Sequence, residues 1–185
     1  MEVTKAVSTS IAVLAVAVIG WQAHAQNPAA APTPQIGRAV AVVQPTAGNQ
    51  VKGIVTFTVG AHGVLVHAEV TGLPPNSTHG FHIHEFGDLR SDDGKSLGGH
   101  YNPGGHMHAL PTTSMRHAGD LGNLKADSKG VATLNQEFDT FTIDGEKAPI
   151  LGRGLVIHAL PDDGGQPTGN AGGRIAVGVI GVAGS

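Results

Sequence analysis

The 185-residue chain contains no cysteine, which excludes disulfides, thiolate metal ligands and a thiol nucleophile. Its redox compartment must therefore be read from targeting signals. Aromatic side chains are scarce, one Trp, one Tyr and five Phe, so a core has to be packed from Val, Ile, Leu and Ala. Basic charge is not in excess: eleven Lys plus Arg stand against fourteen Asp plus Glu, a net charge of −3. That balance argues against nucleic acid as a partner. The apolar run from Ile11 to Ile19 is shorter than the ~20 residues of a membrane-spanning helix. With Lys5 before it and Ala23-His24-Ala25 after it, the run has the three-part pattern of a secretory signal, with cleavage before Gln26. Residues 1–25 are thus expected to direct the protein to the periplasm or the outside, leaving no stable membrane anchor. Residues 26–37, rich in Pro and Ala, read as an extended leader, and residues 38–185 as one domain.

Histidine, by contrast, is abundant. There are eleven, and seven lie between His79 and Asp120. Phe81, His82, Ile83 and His84 alternate apolar with imidazole, and on a strand a spacing of two puts like side chains on one face. Phe81 and Ile83 can enter a core while His82 and His84 stand together on the other side. His100, His108, His117 and Asp120 follow at spacings too long for a helix face, among Gly and Pro. This is the pattern of a loop folding back to close a metal site. Neutral imidazole suits copper and zinc, and one carboxylate among nitrogen donors suits zinc.

The rest of the chain reads as short strands between turn signals. Ala39 to Val43, Val51 to Val59, Val64 to Val70, Gly80 to Glu85, Leu121 to Ala126, Val131 to Phe138, Ile150 to His158 and Arg174 to Val182 make eight, with Asp127-Ser128-Lys129-Gly130 as a hairpin turn. No helical period is present. The fold class is therefore all-β, an antiparallel sandwich or barrel of eight strands. The two long connections, one before Leu121 and one from Ala159 to Gly173, are functional candidates by their length.

Three blocks make the chain similar to a known family: Gly80-Phe81-His82-Ile83-His84-Glu85-Phe86-Gly87-Asp88; Arg116-His117-Ala118-Gly119-Asp120-Leu121-Gly122-Asn123; and Gly169-Asn170-Ala171-Gly172-Gly173-Arg174 running into Gly178-Val179-Ile180-Gly181. In order and together they resemble the copper/zinc superoxide dismutases, from about Arg38 to the C-terminus. The resemblance implies a Greek-key β-barrel. It implies copper on His82, His84, His100 and His158, and zinc on His100, His108, His117 and Asp120, with His100 bridging the two. Arg174 matches the arginine that orients the superoxide anion, and Asp162 the carboxylate that links His82 to His108 behind the metals. His79 is expected to donate a structural hydrogen bond near the metal strand. The implied reaction disproportionates superoxide to dioxygen and hydrogen peroxide through a Cu(II)/Cu(I) cycle. A non-catalytic copper- or zinc-holding protein of the same fold is the alternative. A copper-only dismutase is disfavoured by the intact His108, His117 and Asp120.

The chain departs from this pattern in two places. The family's loop-pinning disulfide is absent, its positions matching Gly94 and Val177, so stability is expected to lean on zinc. The connection from Ala159 to Gly173 is short and holds Asp162 and Asp163 but no Lys or Arg. Guidance of an anion is then left largely to Arg174, with a weak salt dependence. Phe86-Gly87, Ile150-Leu151-Gly152 and Val179-Ile180-Gly181 resemble the segments of a dimer contact, so a homodimer is expected. His24, His62 and His67 have no ligand partner in sequence, and His106 is a weak competitor for zinc. Asn76-Ser77-Thr78 is an N-glycosylation acceptor in a eukaryotic secretory pathway.

Overall fold

Alternating apolar residues turn Val, Ala and Phe inward on one strand after another. In the computed structural model, which describes residues 1–2 and 35–184, the expected secretory segment and most of the leader lie outside the described residues. Nine strands form among the described residues: β1 Arg38–Pro45, β2 Lys52–Val59, β3 Val64–Thr71, β4 Thr78–His84, β5 Asp120–Lys125, β6 Ala132–Phe138, β7 Gly154–His158, β8 Arg174–Val179 and β9 Gly181–Val182. Eight of them run in the order β5-β4-β7-β8-β1-β2-β3-β6, every neighbouring pair antiparallel. The crossovers from β4 to β7, β8 to β1 and β3 to β6 make a Greek key. The end strands β5 and β6 are joined by a hairpin and an Ala126–Ala132 bridge, which nearly closes the sheet into a barrel.

Its interior holds Val55, Phe57, Val66, Ala68, Phe81, Ile83, Leu155 and Ile157, each 0% exposed. Burying each large aliphatic or aromatic side chain is worth ~1.5–3 kcal/mol. β3 shows the cause, since its residues alternate buried and exposed from end to end with His67 on the solvent side. The hairpin before β6 is an Asx turn. Asp127 Oδ1 accepts from the N–H groups of Lys129 at 2.8 Å and Val131 at 2.9 Å, and Gly130 takes φ 75°, which a side chain would resist.

Two of the expected strands change form. Only Gly154–His158 of the run from Ile150 is strand; residues 150–153 turn, with Gly152 at φ 76° and its N–H on Ile180 O at 2.8 Å. The last strand breaks at Ile180, because Ile180 N donates to Arg153 O at 3.0 Å and leaves the β1 edge to the short β9. Ile54, between the inward positions of β2, and Val59, at its end, are about half exposed although apolar. Ile36, placed in the leader by composition, packs on the core and donates its N–H to Asp144 Oδ2 at 2.7 Å.

Two long loops leave the barrel beside β4 and β7. The first, residues 85–119, contains a 3-10 turn at Lys95–Leu97. The second spans residues 159–173. Together they bury the face of β4 that carries His82 and His84.

Candidate metal centre

β4 presents Phe81 and Ile83 to the core and His82 and His84 to the loops, and all four are buried. His158 ends β7, and Arg174 at the start of β8 lies opposite it in the ladder. His100 reaches the site because the first loop returns along the end of β4: Tyr101 N donates to Ile83 O at 2.9 Å, and Ile83 N to Gly119 O at 2.9 Å. One ligand atom from each of His82, His84, His100 and His158 lies within 4.8 Å of the others, and the same holds for His100, His108, His117 and Asp120. His100 belongs to both groups. Its ring centroid is 4.0 Å from that of His82 and 5.5 Å from that of His117.

The hydrogen bonds fix which nitrogen of each ring faces inward. His84 Nδ1 donates to Gly98 O at 3.0 Å and His158 Nδ1 to Gly172 O at 3.2 Å. A carbonyl only accepts, so Nε2 of each ring keeps its lone pair. His82 Nε2 donates to Asp162 Oδ2 and His108 Nε2 to Asp162 Oδ1, both at 2.9 Å, which leaves Nδ1 of each ring with its lone pair. Among the described residues, the buried ring nitrogens without a hydrogen bond are His82 Nδ1, His84 Nε2, His100 Nε2, His158 Nε2 and His108 Nδ1. The first four come from the residues of the first group, and His108 Nδ1 faces the second. Orphaned buried nitrogens are costly unless something binds them, so the donor set fits a metal in the first group.

In the second group three ring nitrogens surround one oxygen. His100 Nδ1, His108 Nδ1 and His117 Nδ1 stand 2.9, 3.0 and 3.2 Å from Asp120 Oδ1. Asp120 Oδ2 accepts from the N–H groups of Ala109 and His117, both at 3.1 Å, so Oδ1 is held toward the rings. Three imidazoles and one carboxylate form the donor set of a tetrahedral zinc site.

Burial drives His82 down to about 4, against the pull of its Asp162 hydrogen bond, and His158 to about 3, with His82 adding to the effect. Burial likewise pushes His84 well below its ordinary value and lowers His117. All four are neutral at pH 7, the form that binds metal. Burial alone would raise Asp120 and Asp162, but hydrogen bonds from His100 to the first, and from His82 and His108 to the second, outweigh it and hold both carboxyls low. Burial also lowers Arg174, partly offset by Asp93.

The remaining expected residues fall as follows. Asp162 joins the two groups from behind. The half-buried guanidinium of Arg174 is tied to the carbonyls of Gly94 and Gly98. It lines an opening of about 490 Å³ with Asp93, Lys95, Gly172 and Gly173. His79 Nδ1 donates to His158 O at 2.7 Å. His106, exposed, is in neither group. A Cβ on Gly94 would stand 2.8 Å from Val177 Cγ1, so the two positions face each other. Sequence reasoning assigned no role to Asn123 or Gln166. Asn123 brackets the Asp162 peptide, accepting from its N–H at 2.8 Å and donating to its carbonyl at 2.9 Å. Gln166 does the same to His108. Lys95, also missed, pairs with Asp93 at 2.7 Å in the opening. Gly169 is required, since a Cβ there would lie 2.0 Å from Asp162 Oδ1.

A Greek-key barrel that gathers six buried histidines and one aspartate into two groups sharing an imidazole defines a dinuclear metalloprotein. The family model described as copper/zinc superoxide dismutase (SODC) matches residues 51–180. The chain is 49% identical over 142 residues to the extracellular superoxide dismutase [Cu-Zn] of Drosophila melanogaster, across 72% of this chain and 77% of that one. Among solved structures, the clock protein EA4 superposes with a TM-score of 0.72 at 40% identity, over 80% of this chain and 95% of the other. The chain belongs to the copper/zinc superoxide dismutase family and is an oxidoreductase whose cofactors are copper and zinc.

Proposed function

We propose that the protein disproportionates superoxide to dioxygen and hydrogen peroxide outside the cytoplasm. The observation that carries this reading is the convergence of four unpartnered ring nitrogens, from His82, His84, His100 and His158, beside the arginine-lined opening. These four would hold copper; His100 Nδ1, His108, His117 and Asp120 would hold zinc. Bound copper would supply the one-electron couple, taking an electron from one superoxide and giving it to the next, while zinc has no redox chemistry. Arg174 draws the anion in and orients it. Its side chain is pre-set by two carbonyls, so little freedom is lost on binding. His100 Nε2, buried and without a partner, would hold one of the two protons that the product needs and pass it on beside Arg174. With the second proton taken from solvent water, two superoxide anions and two protons become one dioxygen and one hydrogen peroxide. Asp162 keeps the protons of His82 and His108 on Nε2.

The secretory pattern of residues 1–25 and the extracellular relative support export, either to the periplasm or out of the cell, with 26–37 as leader and 38–185 as the enzyme domain. Among the described residues no helix is long and apolar enough to cross a membrane. We also propose a homodimer. A Cβ on Gly87 would touch Gly152 O and Val179 Cγ1, so the expected contact segments adjoin, and Phe86 beside them is 55% exposed. Ile150 and Ile180 are fully buried and belong to the barrel core. Sedimentation equilibrium giving a monomer at micromolar concentration would remove the dimer.

The second reading, a protein that holds copper and zinc without turnover, is kept in view by the similarity to a clock protein, and Arg174 beside the opening weighs against it. Metal-free protein from Gln26 onward, loaded with copper, zinc or both, separates the two. Superoxide-dismutating activity that requires copper supports the enzyme; full occupancy without activity supports the holding protein.

A further inference from the structure

His108 is 2% exposed, so its peptide N–H and carbonyl both need partners. Among the described residues each has one, and both belong to the same side chain. Gln166 Nε2 donates to His108 O at 2.7 Å, and His108 N donates to Gln166 Oε1 at 3.2 Å. The two residues are 58 apart in sequence and lie in different loops. The other end of His108 is held from the same loop, since Nε2 donates to Asp162 Oδ1 at 2.9 Å. Two residues upstream, Asn102 brackets His106 in the same manner, accepting from its N–H at 3.0 Å and donating to its carbonyl at 2.8 Å. The segment is therefore anchored at His106 to its own loop and at His108 to the second loop.

We propose that Gln166 is a positioning residue for zinc, and that its clamp on the His108 peptide makes zinc binding and the seating of the second loop a single event. The proposal rests on the zinc assignment given above. Asp162 orients the His108 ring and Gln166 fixes the backbone that carries it, so Nδ1 is aimed with neither end free. Because the clamp closes as the second loop seats with zinc, losing the amide orphans the His108 donor and acceptor in the zinc-bound form, where each is expensive to leave unpaired. Outer partners of metal ligands typically govern affinity by ten- to a hundredfold, and a change near the lower end is expected, because Gln166 itself is exposed.

The test compares the wild type with Gln166→Met, which keeps the length and loses both hydrogen bonds, and with Gln166→Glu, which keeps only the acceptor. Thr168→Ala, an exposed neighbour in the same loop, is the control. Zinc and copper dissociation constants are measured by chelator competition, and metal-free melting and hydrogen exchange of the His108 amide are followed alongside. Gln166→Met is expected to weaken zinc about tenfold and expose the His108 amide to exchange, with copper affinity and metal-free melting unchanged; Gln166→Glu should fall between. A zinc constant within twofold of wild type overturns the proposal. So does a joint fall of both metal affinities and of metal-free melting, which would mark Gln166 as a general loop support. If the wild type itself takes up no zinc, the zinc assignment fails, and that outcome is read before any variant.

Discussion

Restoring a covalent tie between the first loop and the barrel gives a prediction with a calculable size. In the double variant Gly94→Cys, Val177→Cys, the Cβ at position 94 would stand 2.8 Å from where Val177 Cγ1 now lies. That is close to the roughly 3 Å that disulfide geometry sets between a Cβ and the far sulfur. The bond would close a ring of about 84 residues and remove about 4.5 kcal/mol of chain entropy from the unfolded state. Two costs oppose it. Gly94 has φ 73°, where a residue with a Cβ pays ~1–2 kcal/mol. Val177, clustered with Leu97 and Val156, loses a packed methyl group worth ~1 kcal/mol. The net gain is about 2 kcal/mol, or roughly 4–8 °C in the melting temperature of a domain this size. Metal-free protein should therefore melt that much above wild type when oxidised and below it when reduced. Thiol titration reports whether the bond has formed. Complete oxidation with no separation between oxidised and reduced melting curves would refute the reasoning.

Metal-free and zinc-loaded wild type should melt well apart, since no disulfide holds the loop; coincident midpoints in calorimetry would contradict this. Asp162→Asn offers an N–H to one of the two ring nitrogens that now donate to the carboxylate, so that ring must carry its proton on the metal-facing atom. Chelator competition should show copper or zinc affinity at least tenfold weaker, and equal affinities for both metals would count against it. The metal-free protein should lose stability as pH falls from about 6.5 toward 4, because His82 and His158, lowered to about 4 and 3, bind protons in the unfolded chain before they do so in the folded one. The slope is up to ~1.4 kcal/mol per pH unit for each such group, and a flat urea midpoint over this range would contradict it. Lys95 in the opening is paired with Asp93, which leaves Arg174 as the unpaired cation there. The rate should accordingly fall less than about threefold between 10 and 150 mM salt, and a steeper fall in pulse radiolysis would overturn this.

The strand residues of the site could be read because their periodicity is local. Phe81, His82, Ile83 and His84 declare opposite faces whatever the rest of the chain does. His100, His108 and His117 carry no such periodicity, as their approach depends on the loop returning along β4 through Tyr101 and Gly119; their clustering among Gly and Pro marked a metal loop, and only the resemblance divided them between two metals. Asn123 and Gln166 act by clamping another residue's peptide group, an interaction without a sequence spacing. Lys95 reaches the opening by way of a 3-10 turn that no apolar period announces. The strand boundaries at Ile150 and Ile180 were hidden for the opposite reason: both lie among β-branched and apolar residues that suit a strand, and the turn is imposed by Gly152 and by bonds between the two segments.

The accounting of ring nitrogens also sets a proton stoichiometry. His82, His84, His108 and His158 each park their proton on an outward nitrogen held by a carbonyl or a carboxylate, so they can accept metal without a ring flip. His100 has no outward nitrogen. Nδ1 lies 2.9 Å from Asp120 Oδ1 and Nε2 points at the other group, so its single proton has nowhere to stay when both sides are filled. Filling both sites should therefore displace the one ring proton of His100, whichever metal arrives first, so the shared imidazole ties the loading of either site to a proton leaving the other side.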